Sequence, residues 1–406
     1  MDFNRYRDAL AERVGRLDLP FDETEYARRR DAVTQAMAAA GLDALLVTDA
    51  ADICYLTGYN TFEVSVHTAL VLTGAEASSQ PGRAVLQVPS IETGPAVTTA
   101  RVDEVLGYRW EEADGAVAQM ASILADLGVS ARRLGTDNWG PALRSGFRDG
   151  LAQAHPGLSL VDASGLVDGV RIIKSEPEIA LLRESARITE IGIAAAESLI
   201  APGVTDQQLA ATGSAAMIAA GSEFMSLQPI VTTGWRSSVI HCNHQRHAVA
   251  TDEVVFLEFG SAVHRYTAPM MRTRVAGEPS AAMREVADVI RAIYTALLEH
   301  MRPGVTMDAA AAAADAALQP IADRVFFSGV YGYTVGIQFP PSWVEASGYI
   351  ARGVERPFEA NMVFHLPLML RVPGKWGIGM SNTVRVTAEG GEALTGNDLM
   401  LQGVGT

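Results

Sequence analysis

The stretch that decides the interpretation of this chain is IHCNHQRHAVATDEVVFLEFGSAVHRYTAPMMRT, residues 240–273. It combines four histidines, an arginine–threonine end and one carboxylate, Glu258, set in the otherwise apolar run 254–259. Burial of a carboxylate without a partner costs free energy, so a glutamate in such a run needs either a compensating group or a function. We therefore predict that residues 240–273 form one wall of an active site.

The bulk composition is that of a globular protein. With 406 residues, of which 48% are apolar and 19% charged, the chain is expected to form two or three domains. A net charge of −15 argues against partners such as nucleic acid or anionic membrane, because both require clustered Lys and Arg. Residues 1–20 lack the apolar core of a signal peptide, so we expect a cytoplasmic protein. Cys54 and Cys242 stand in no metal-binding spacing and are predicted to be reduced thiols.

The amino-terminal half alternates helical and extended patterns. Residues 21–41 have apolar residues at helical spacing and end at Gly41, and the buried strand 42–49 follows. Residues 51–62 are predicted to be a loop. Further strands are predicted at 67–74, 82–89, 101–110, 132–139 and 158–164, with helices at 114–127 and 141–154. This order predicts a mixed sheet with covering helices.

A short charged connector, residues 167–177, separates this half from a differently organised one. We place the domain boundary after residue 168, which gives domains 1–168 and 169–406. The second domain is predicted to contain two helices up to about Ala220, strands through Thr273, helices at 281–300 and 307–318, and a final run of strands. Helices and strands in consecutive blocks indicate an α+β domain. The alanine-rich segment 307–318 is predicted to be a packed helix, because alanine has the highest helix propensity.

Several motifs then follow one another in a known order. They are YLTGY at 55–59, RIIKSEPEIALLRESARI at 171–188, the stretch 241–273, GYTVGIQFPP at 332–341, NMVFHLPL at 361–368 and GIGMSNTVRVTAEGGEALTG at 377–396. The chain resembles the creatinase, prolidase and methionine aminopeptidase family over nearly its whole length. The resemblance implies a pita-bread catalytic domain of the α+β class, preceded by a creatinase-type α/β amino-terminal domain.

The resemblance also implies where metal ligands would stand. Peptidase members hold two divalent ions with two Asp, one His and two Glu. In this chain those places correspond to Glu258, Pro269, Tyr333, a position in FHLPL (364–368) without a carboxylate, and Ser381. Such a set does not supply the donors that a divalent cation needs, so we expect no metal and no cofactor. A metalloenzyme that recruits His244, His247 and His365 instead remains an alternative.

Metal-free members of the family, such as creatinase and ectoine hydrolase, cleave C–N bonds in small charged nitrogen compounds. The similarity is closer to ectoine hydrolase in RYTAPMMRT (265–273) and VFHLP (363–367). It implies a metal-independent hydrolase of a small amidine or cyclic amide zwitterion, such as ectoine or 5-hydroxyectoine. Glu258 would act as nucleophile or base and His241 as general acid/base. The alternatives are a creatinase-like guanidinium hydrolase, a metal-dependent Xaa-Pro aminopeptidase and a non-catalytic binding protein.

Six side chains are predicted to bind the substrate. Tyr266 and Tyr333 could donate hydrogen bonds, and His365 faces the site if its strand keeps the family register. In creatinase-like homodimers the amino-terminal domain caps the site of the neighbouring subunit, which implies that Tyr59, Phe62 and His67 close over a planar cation. The remaining histidines and tryptophans of interest are assigned to the rim of the site (His244, His247 and His264) or to the core or rim (Trp235, Trp343 and Trp376).

Overall fold

The computed structural model describes residues 2–15, 17, 19–74, 80–112, 114–396 and 398–404. The chain separates into two compact units, Met1–Arg171 and Ile172–Thr406. The predicted boundary, after residue 168, lies three residues before the division between the two units, which follows Arg171. Arg171 belongs to the first unit, where its guanidinium contacts the Asp52 carboxylate at 2.5 Å. Among the described residues, no helix has the length and apolar character needed to cross a membrane.

The first unit is built on a mixed sheet, as predicted. Its helices are α1 (Phe3–Arg13), α2 (Glu23–Ala39), α3 (Ala50–Thr57), α4 (Thr93–Thr99), α5 (Gly115–Asp126), α6 (Ser145–Ala154) and α7 (Leu166–Arg171). Its strands are β1 (Ala44–Val47), β2 (Ala69–Thr73), β3 (Ala84–Pro89), β4 (Glu104–Tyr108), β5 (Arg133–Thr136) and β6 (Ser159–Asp162). They lie in the order β4-β3-β2-β1-β5-β6, with β1 antiparallel to β2 and parallel to β5. The apolar side chains of α5 and α6 pack against this sheet.

The loop predicted over residues 51–62 is wrong for its first part, because helix α3 occupies Ala50–Thr57. Asp49 is its N-cap, and its carboxylate accepts hydrogen bonds from the backbone N–H groups of Ala51 and Asp52. Gly58 ends the helix with a φ of 80°, a left-handed conformation that glycine adopts without strain. Both capping signals are present in the sequence, so this helix could have been predicted from them.

The second unit contains the elements that form the candidate site. Its helices are α8 (Glu176–Glu197), α9 (Asp206–Ala219), α10 (Ala281–His300) and α11 (Met307–Leu318). Its strands are β7 (Ile230–Thr233), β8 (Val254–Phe259), β9 (Ala262–Val263), β10 (Tyr266–Thr267), β11 (Met270–Ala276), β12 (Val330–Thr334), β13 (Tyr349–Ala351), β14 (Val363–His365), β15 (Leu368–Val372), β16 (Trp376–Met380), β17 (Thr383–Val386), β18 (Gly391–Ala393) and β19 (Gln402–Val404). The four predicted helices of this unit, including the alanine-rich α11, are confirmed.

The strands of the second unit form two sheets and two hairpins among the described residues. One sheet has the order β19-β11-β8-β7 and the other the order β13-β12-β14-β17-β18, while β9 pairs with β10 and β15 with β16. Helix α8 begins at a capping box in which Ser175 and Glu178 each bond the other's backbone N–H. The α+β organisation predicted for this unit is therefore confirmed.

Strand β8 is buried on both faces, which explains its nearly continuous apolar sequence. Val255, Leu257 and Phe259 pack with residues of α8 and α9. On the other face Phe256 packs with Ile230, Met271 and Met369. Because side chains alternate along a strand, Glu258 shares the face of Phe256.

Candidate active site

Glu258 is a buried carboxylate whose surroundings are largely apolar. It lies on the central strand β8, directly opposite Ile230 on β7 and Met271 on β11. Its side chain is 2% exposed, and its Oε2 atom has no hydrogen-bond partner. Within the described part of the chain, no Lys, Arg or His forms an ion pair with it. Arg272, on the neighbouring strand β11, bonds Met271, Ser381, Asn382 and Gly396 instead.

These surroundings change the titration of the carboxyl group. Burial raises the pKa of Glu258 to about 8, because a charged carboxylate is poorly solvated there. Without a ligand the group is therefore mostly protonated at neutral pH. A cation placed beside it would favour the ionised form.

A chain of hydrogen bonds lies beside Glu258. The indole Nε1–H of Trp343 donates to the Tyr333 hydroxyl at 2.8 Å, and that oxygen is 2.7 Å from Nδ1 of His365. Nε2 of His365 is 2.5 Å from Oγ of Ser381, which also accepts the backbone N–H of Met271 at 2.7 Å. Met271 is the cross-strand neighbour of Glu258, so the chain ends next to the carboxylate.

The two titratable members of this chain are both shifted toward their neutral forms. Burial and the neighbouring Glu258 carboxylate raise the pKa of Tyr333 well above its usual range. Burial lowers the pKa of His365 to about 3, because the imidazolium form would be poorly solvated. Tyr333 is half-buried and His365 is fully buried, so Tyr333 is the member that solvent can reach.

His241 lies on a loop at the border of this face and is exposed. Its neighbour Ile240 packs against the cluster of Ile230, Phe256, Met271 and Met369, on the face of the sheet that carries Glu258. Ile240 and His241 have φ values of 49° and 51°, a strained conformation for residues other than glycine. His241 makes no hydrogen bond within the described residues, so the structure records no contact between it and Glu258.

A buried ion pair holds the rest of this loop. Arg236 contacts Asp206 at 2.7 Å, and both side chains are almost fully buried. The Asp206 carboxylate also accepts the backbone N–H groups of Gln245 and His247, while Arg236 donates to Cys242 Sγ at 3.1 Å. Arg236 also bonds the carbonyl of Asn243. The pair therefore fixes residues 242–247 directly after the strained His241.

The other predicted substrate-binding residues have different surroundings. Tyr266 is buried, and its hydroxyl donates to Glu178, the capping residue of α8. Tyr59 is 2% exposed and donates to Glu92, and His67 packs on Phe147 with ring centroids 4.0 Å apart. In the first unit these two side chains thus pack in the core, whereas Phe62 is 78% exposed. Of the three, Phe62 is the one with an exposed side chain.

The comparisons with known proteins agree with this architecture. A model described as Metallopeptidase family M24 matches residues 180–388, and one described as Creatinase/Prolidase N-terminal domain matches residues 29–173. The chain belongs to the metallopeptidase family M24. The predicted pita-bread domain and creatinase-type amino-terminal domain are therefore confirmed, and this M24 protein is a hydrolase.

Relatives of this M24 protein include hydrolases of different kinds. The uncharacterized hydrolase/peptidase y4tM of Sinorhizobium fredii is 31% identical over 392 residues, covering 93% of this chain and 97% of that protein. Ectoine hydrolase of Halomonas elongata is 27% identical over 400 residues, covering 93% and 97%. The crystal structure of dipeptidase PepE from Mycobacterium ulcerans has a TM-score of 0.79 at 25% identity and covers 95% of this chain and 100% of that one.

The family name implies a metal, but the side chains at this site do not fit one. Both nitrogens of His365 are engaged by Tyr333 and Ser381, which leaves Glu258 as the carboxylate donor of the site. Its neighbours Ile230, Phe256 and Met271 offer no oxygen or nitrogen ligand. Among the described residues no group of three His, Cys, Asp or Glu side chains is arranged to hold a metal ion. A divalent cation needs more donors than this site provides.

Sequence reasoning identified Glu258, Tyr333, His365 and Ser381 as positions of one site, and the structure brings them together. It did not identify Trp343, which is 1% exposed and was assigned to the core or rim. Gly260 gives this indole room, since a Cβ there would lie 3.0 Å from the ring. The contact between Trp343 and Tyr333 crosses a loop, so no periodicity could have indicated it. Of the rim histidines, His247 and His264 are exposed and His244 is half-buried.

Proposed function

We propose that this M24 hydrolase cleaves a C–N bond of a small amidine or cyclic amide zwitterion of the ectoine or 5-hydroxyectoine type without a metal. The observation that supports the proposal most strongly is the Glu258 carboxylate, buried in apolar surroundings with Oε2 unpartnered. An amidinium is a planar cation with N–H donors, so it supplies both the charge and the hydrogen bonds that this carboxylate lacks. Ectoine hydrolase is also among the relatives.

Substrate binding would ionise Glu258. In the free protein burial favours its neutral form, whereas a bound cation favours the carboxylate. Ionised Glu258, the nucleophile or base, is thus formed beside the amidinium carbon that it attacks or to which it directs water. In a dipeptide the cation is the α-ammonium group and the scissile amide is neutral, so the reacting group itself would not provide this compensation, which favours an amidinium over a dipeptide.

The reaction balances with one water. A Glu258 oxygen, or a water that Glu258 deprotonates, bonds to the amidinium carbon, and the π pair of its C=N bond moves onto nitrogen to give a tetrahedral intermediate. The electron pair of the breaking C–N bond then moves to nitrogen, which takes up a proton and leaves as an amine. The product is an open-chain amide that carries the new amine. If Glu258 attacks directly, water releases it in a second step.

We assign the proton transfer at nitrogen to His241. Imidazole exchanges protons near neutral pH, and the packing of Ile240 holds this loop against the face that carries Glu258. Exposure of His241 allows exchange of its proton with solvent. Phe62 is proposed to cap the site of a partner subunit in a homodimer, as its exposure permits.

A substrate screen after chelator treatment tests the proposal. The chelated protein is assayed with ectoine, 5-hydroxyectoine, creatine, a small cyclic amide and an Xaa-Pro dipeptide, and product masses are measured. We expect ectoine or 5-hydroxyectoine to gain the mass of one water at an unchanged rate after chelation. Urea release from creatine would instead support a guanidinium hydrolase.

Two outcomes contradict the proposal. Turnover of the dipeptide that is lost on chelation and restored by Mn²⁺ or Co²⁺ would identify a metal-dependent peptidase. Saturable binding of every compound without any product would identify a binding protein. His241→Ala and His241→Gln, compared with His264→Ala as a control on an exposed histidine, test the assigned proton transfer in the active case.

A further inference from the structure

The hydrogen-bond chain beside Glu258 can be analysed by counting its hydrogens. Its members, in order, are the Trp343 indole N–H, the Tyr333 hydroxyl, the His365 imidazole, the Ser381 hydroxyl and the Met271 backbone N–H. The two terminal groups can only donate. Tyr333 must therefore accept from Trp343, and Ser381 must accept from Met271. Only the donors in the Tyr333–His365 and His365–Ser381 contacts remain to be determined.

The count leaves one hydrogen over. A neutral imidazole carries one N–H, so the five groups have five hydrogens between them, whereas four contacts join them. Burial of His365 without an anionic partner favours its neutral form. If Nδ1 carries the hydrogen, Ser381 donates to Nε2 and the Tyr333 hydrogen is left over. If Nε2 carries it, Tyr333 donates to Nδ1 and the Ser381 hydrogen is left over.

The surroundings of the two hydroxyls decide between these arrangements. Ser381 is fully buried, and its Oγ contacts only His365 and Met271 among the described residues. A leftover hydrogen there would be a buried donor without an acceptor, which is unfavourable. Tyr333 is half-buried and lies close enough to Glu258 for the carboxylate to affect its titration. A hydrogen left on Tyr333 is available to a ligand bound beside Glu258.

We infer that Ser381 and His365 are positioning residues that hold the imidazole as its Nδ1–H tautomer and so leave the Tyr333 hydroxyl hydrogen free for the reacting group beside Glu258. Tyr333 then accepts from both Trp343 and His365 and donates to the substrate. The two hydrogen bonds that the Tyr333 oxygen accepts polarise its O–H group. They therefore favour donation of the Tyr333 hydrogen to developing negative charge. The inference rests on the proposed function only for the identity of the acceptor, since the tautomer is a property of the free protein.

The tautomer can be measured directly by NMR on the full-length protein labelled with ¹⁵N-histidine. The His365 signals are assigned by their loss in His365→Gln or, should that variant fail to fold, by their shift in Ser381→Ala. We expect a protonated Nδ1 and an unprotonated Nε2 that do not change between about pH 5 and pH 8, across the usual range of histidine titration. A protonated Nε2 in the wild-type protein, or titration of both nitrogens near the usual pKa, would overturn the inference.

Kinetic variants test what the tautomer does. Tyr333→Phe should lower kcat by about 10²-fold with little change in KM, as loss of one transition-state donor does. Ser381→Ala removes the donor to Nε2, so the preference for the Nδ1–H tautomer should weaken, the Nε2–H fraction should rise, and kcat should fall by at most the factor seen for Tyr333→Phe. Because both variants remove the same donated hydrogen bond, the double variant should be no slower than Tyr333→Phe alone.

A matched control separates this effect from general damage to the core. Ser185 is another fully buried serine of this unit whose hydroxyl oxygen accepts a backbone N–H, that of Ala268. Ser185→Ala should leave the His365 tautomer unchanged. A Ser381→Ala protein with an unchanged tautomer ratio, or additive losses in the double variant, would contradict the inference. A wild-type Nδ1–H tautomer with no activity on any tested compound would support the inference while the proposed substrate class fails.

Discussion

Glu258 and Glu345 are two buried glutamates of the same unit with opposite surroundings. The Glu345 carboxylate contacts Lys174 Nζ at 2.7 Å, with both side chains 1% exposed, and also accepts a hydrogen bond from Ser347. Asp206 is similarly paired with Arg236. Glu258 has apolar neighbours and an unpartnered oxygen. Glu345 and Asp206 are thus each paired with a buried cation. Glu258, the carboxylate to which we assign the chemistry, has no such cation among the described residues.

The largest expected effect of this difference concerns catalysis. Glu258→Gln keeps the size of the side chain but removes the nucleophile or base, so kcat/KM should fall by about 10³-fold or more. Steady-state kinetics on the substrate found by the screen measures it. Glu258→Asp serves as the control that retains a carboxylate and should keep more activity than the glutamine variant. Equal rates for Glu258→Gln and the wild type would remove Glu258 from the mechanism.

The paired carboxylate should behave differently when it is neutralised. Glu345→Gln leaves Lys174 buried without its anion, which should lower the free energy of unfolding by about 3–5 kcal/mol. Chemical denaturation measures this loss. The double variant Lys174→Met with Glu345→Gln should recover much of the stability, because no uncompensated charge remains. A single variant as stable as the wild type would show that the pair is not needed.

Glu258→Gln should have the opposite effect on stability, and the sign follows from the pKa. The folded-state pKa of about 8 lies above the usual value of 4.5, so the folded state binds more protons between these limits. Wild-type stability should therefore fall as pH rises from about 4.5 to about 8. Glu258→Gln should remove this dependence and stabilise the protein by up to about 4 kcal/mol at about pH 8. Denaturation at several pH values checks it, and equal slopes for both proteins would contradict it.

A smaller effect is expected from the pair that fixes the His241 loop. Arg236→Lys keeps the charge next to Asp206 but cannot reach Cys242 and Asn243 as a guanidinium does. We expect kcat to fall by about 10-fold, less than the roughly 10²-fold or more expected when the acid/base is lost altogether, with a small change in KM. Arg187→Lys, on an exposed ion pair, is the control and should leave kcat unchanged. An Arg236→Lys protein with wild-type kcat would separate the loop from proton transfer.

Features of the fold and the site could be predicted from the sequence where they depend on local patterns, but not where they depend on contacts between distant residues. Helices α10 and α11 were predicted within their observed bounds because apolar periodicity and alanine content are local properties. Glu258 could be identified because a carboxylate in an apolar run is unusual in itself. Trp343 could not, since its role depends on a hydrogen bond to Tyr333 across a loop.

The three residues predicted to cap a neighbouring active site also show that contacts between distant residues cannot be predicted from local sequence. Tyr59, Phe62 and His67 are close in sequence and chemically similar, and nothing local distinguishes a core aromatic from an exposed one. The partners that bury Tyr59 and His67 are Glu92 and Phe147, distant along the chain. Likewise, the exposure of His241 depends on how the loop is held by Asp206 and Arg236.

The central claim is that a cationic ligand supplies the charge that Glu258 lacks, and proton release on binding tests it most directly. Calorimetric titration with 2-methylimidazoline, a cyclic amidinium, in buffers of different ionisation enthalpy at about pH 7 gives the number of protons released. Binding should release close to one proton per cation, because it ionises a carboxyl group whose pKa is about 8, and Glu258→Gln should release none. Binding to the wild-type protein without proton release, or equal release from Glu258→Gln, would contradict the claim.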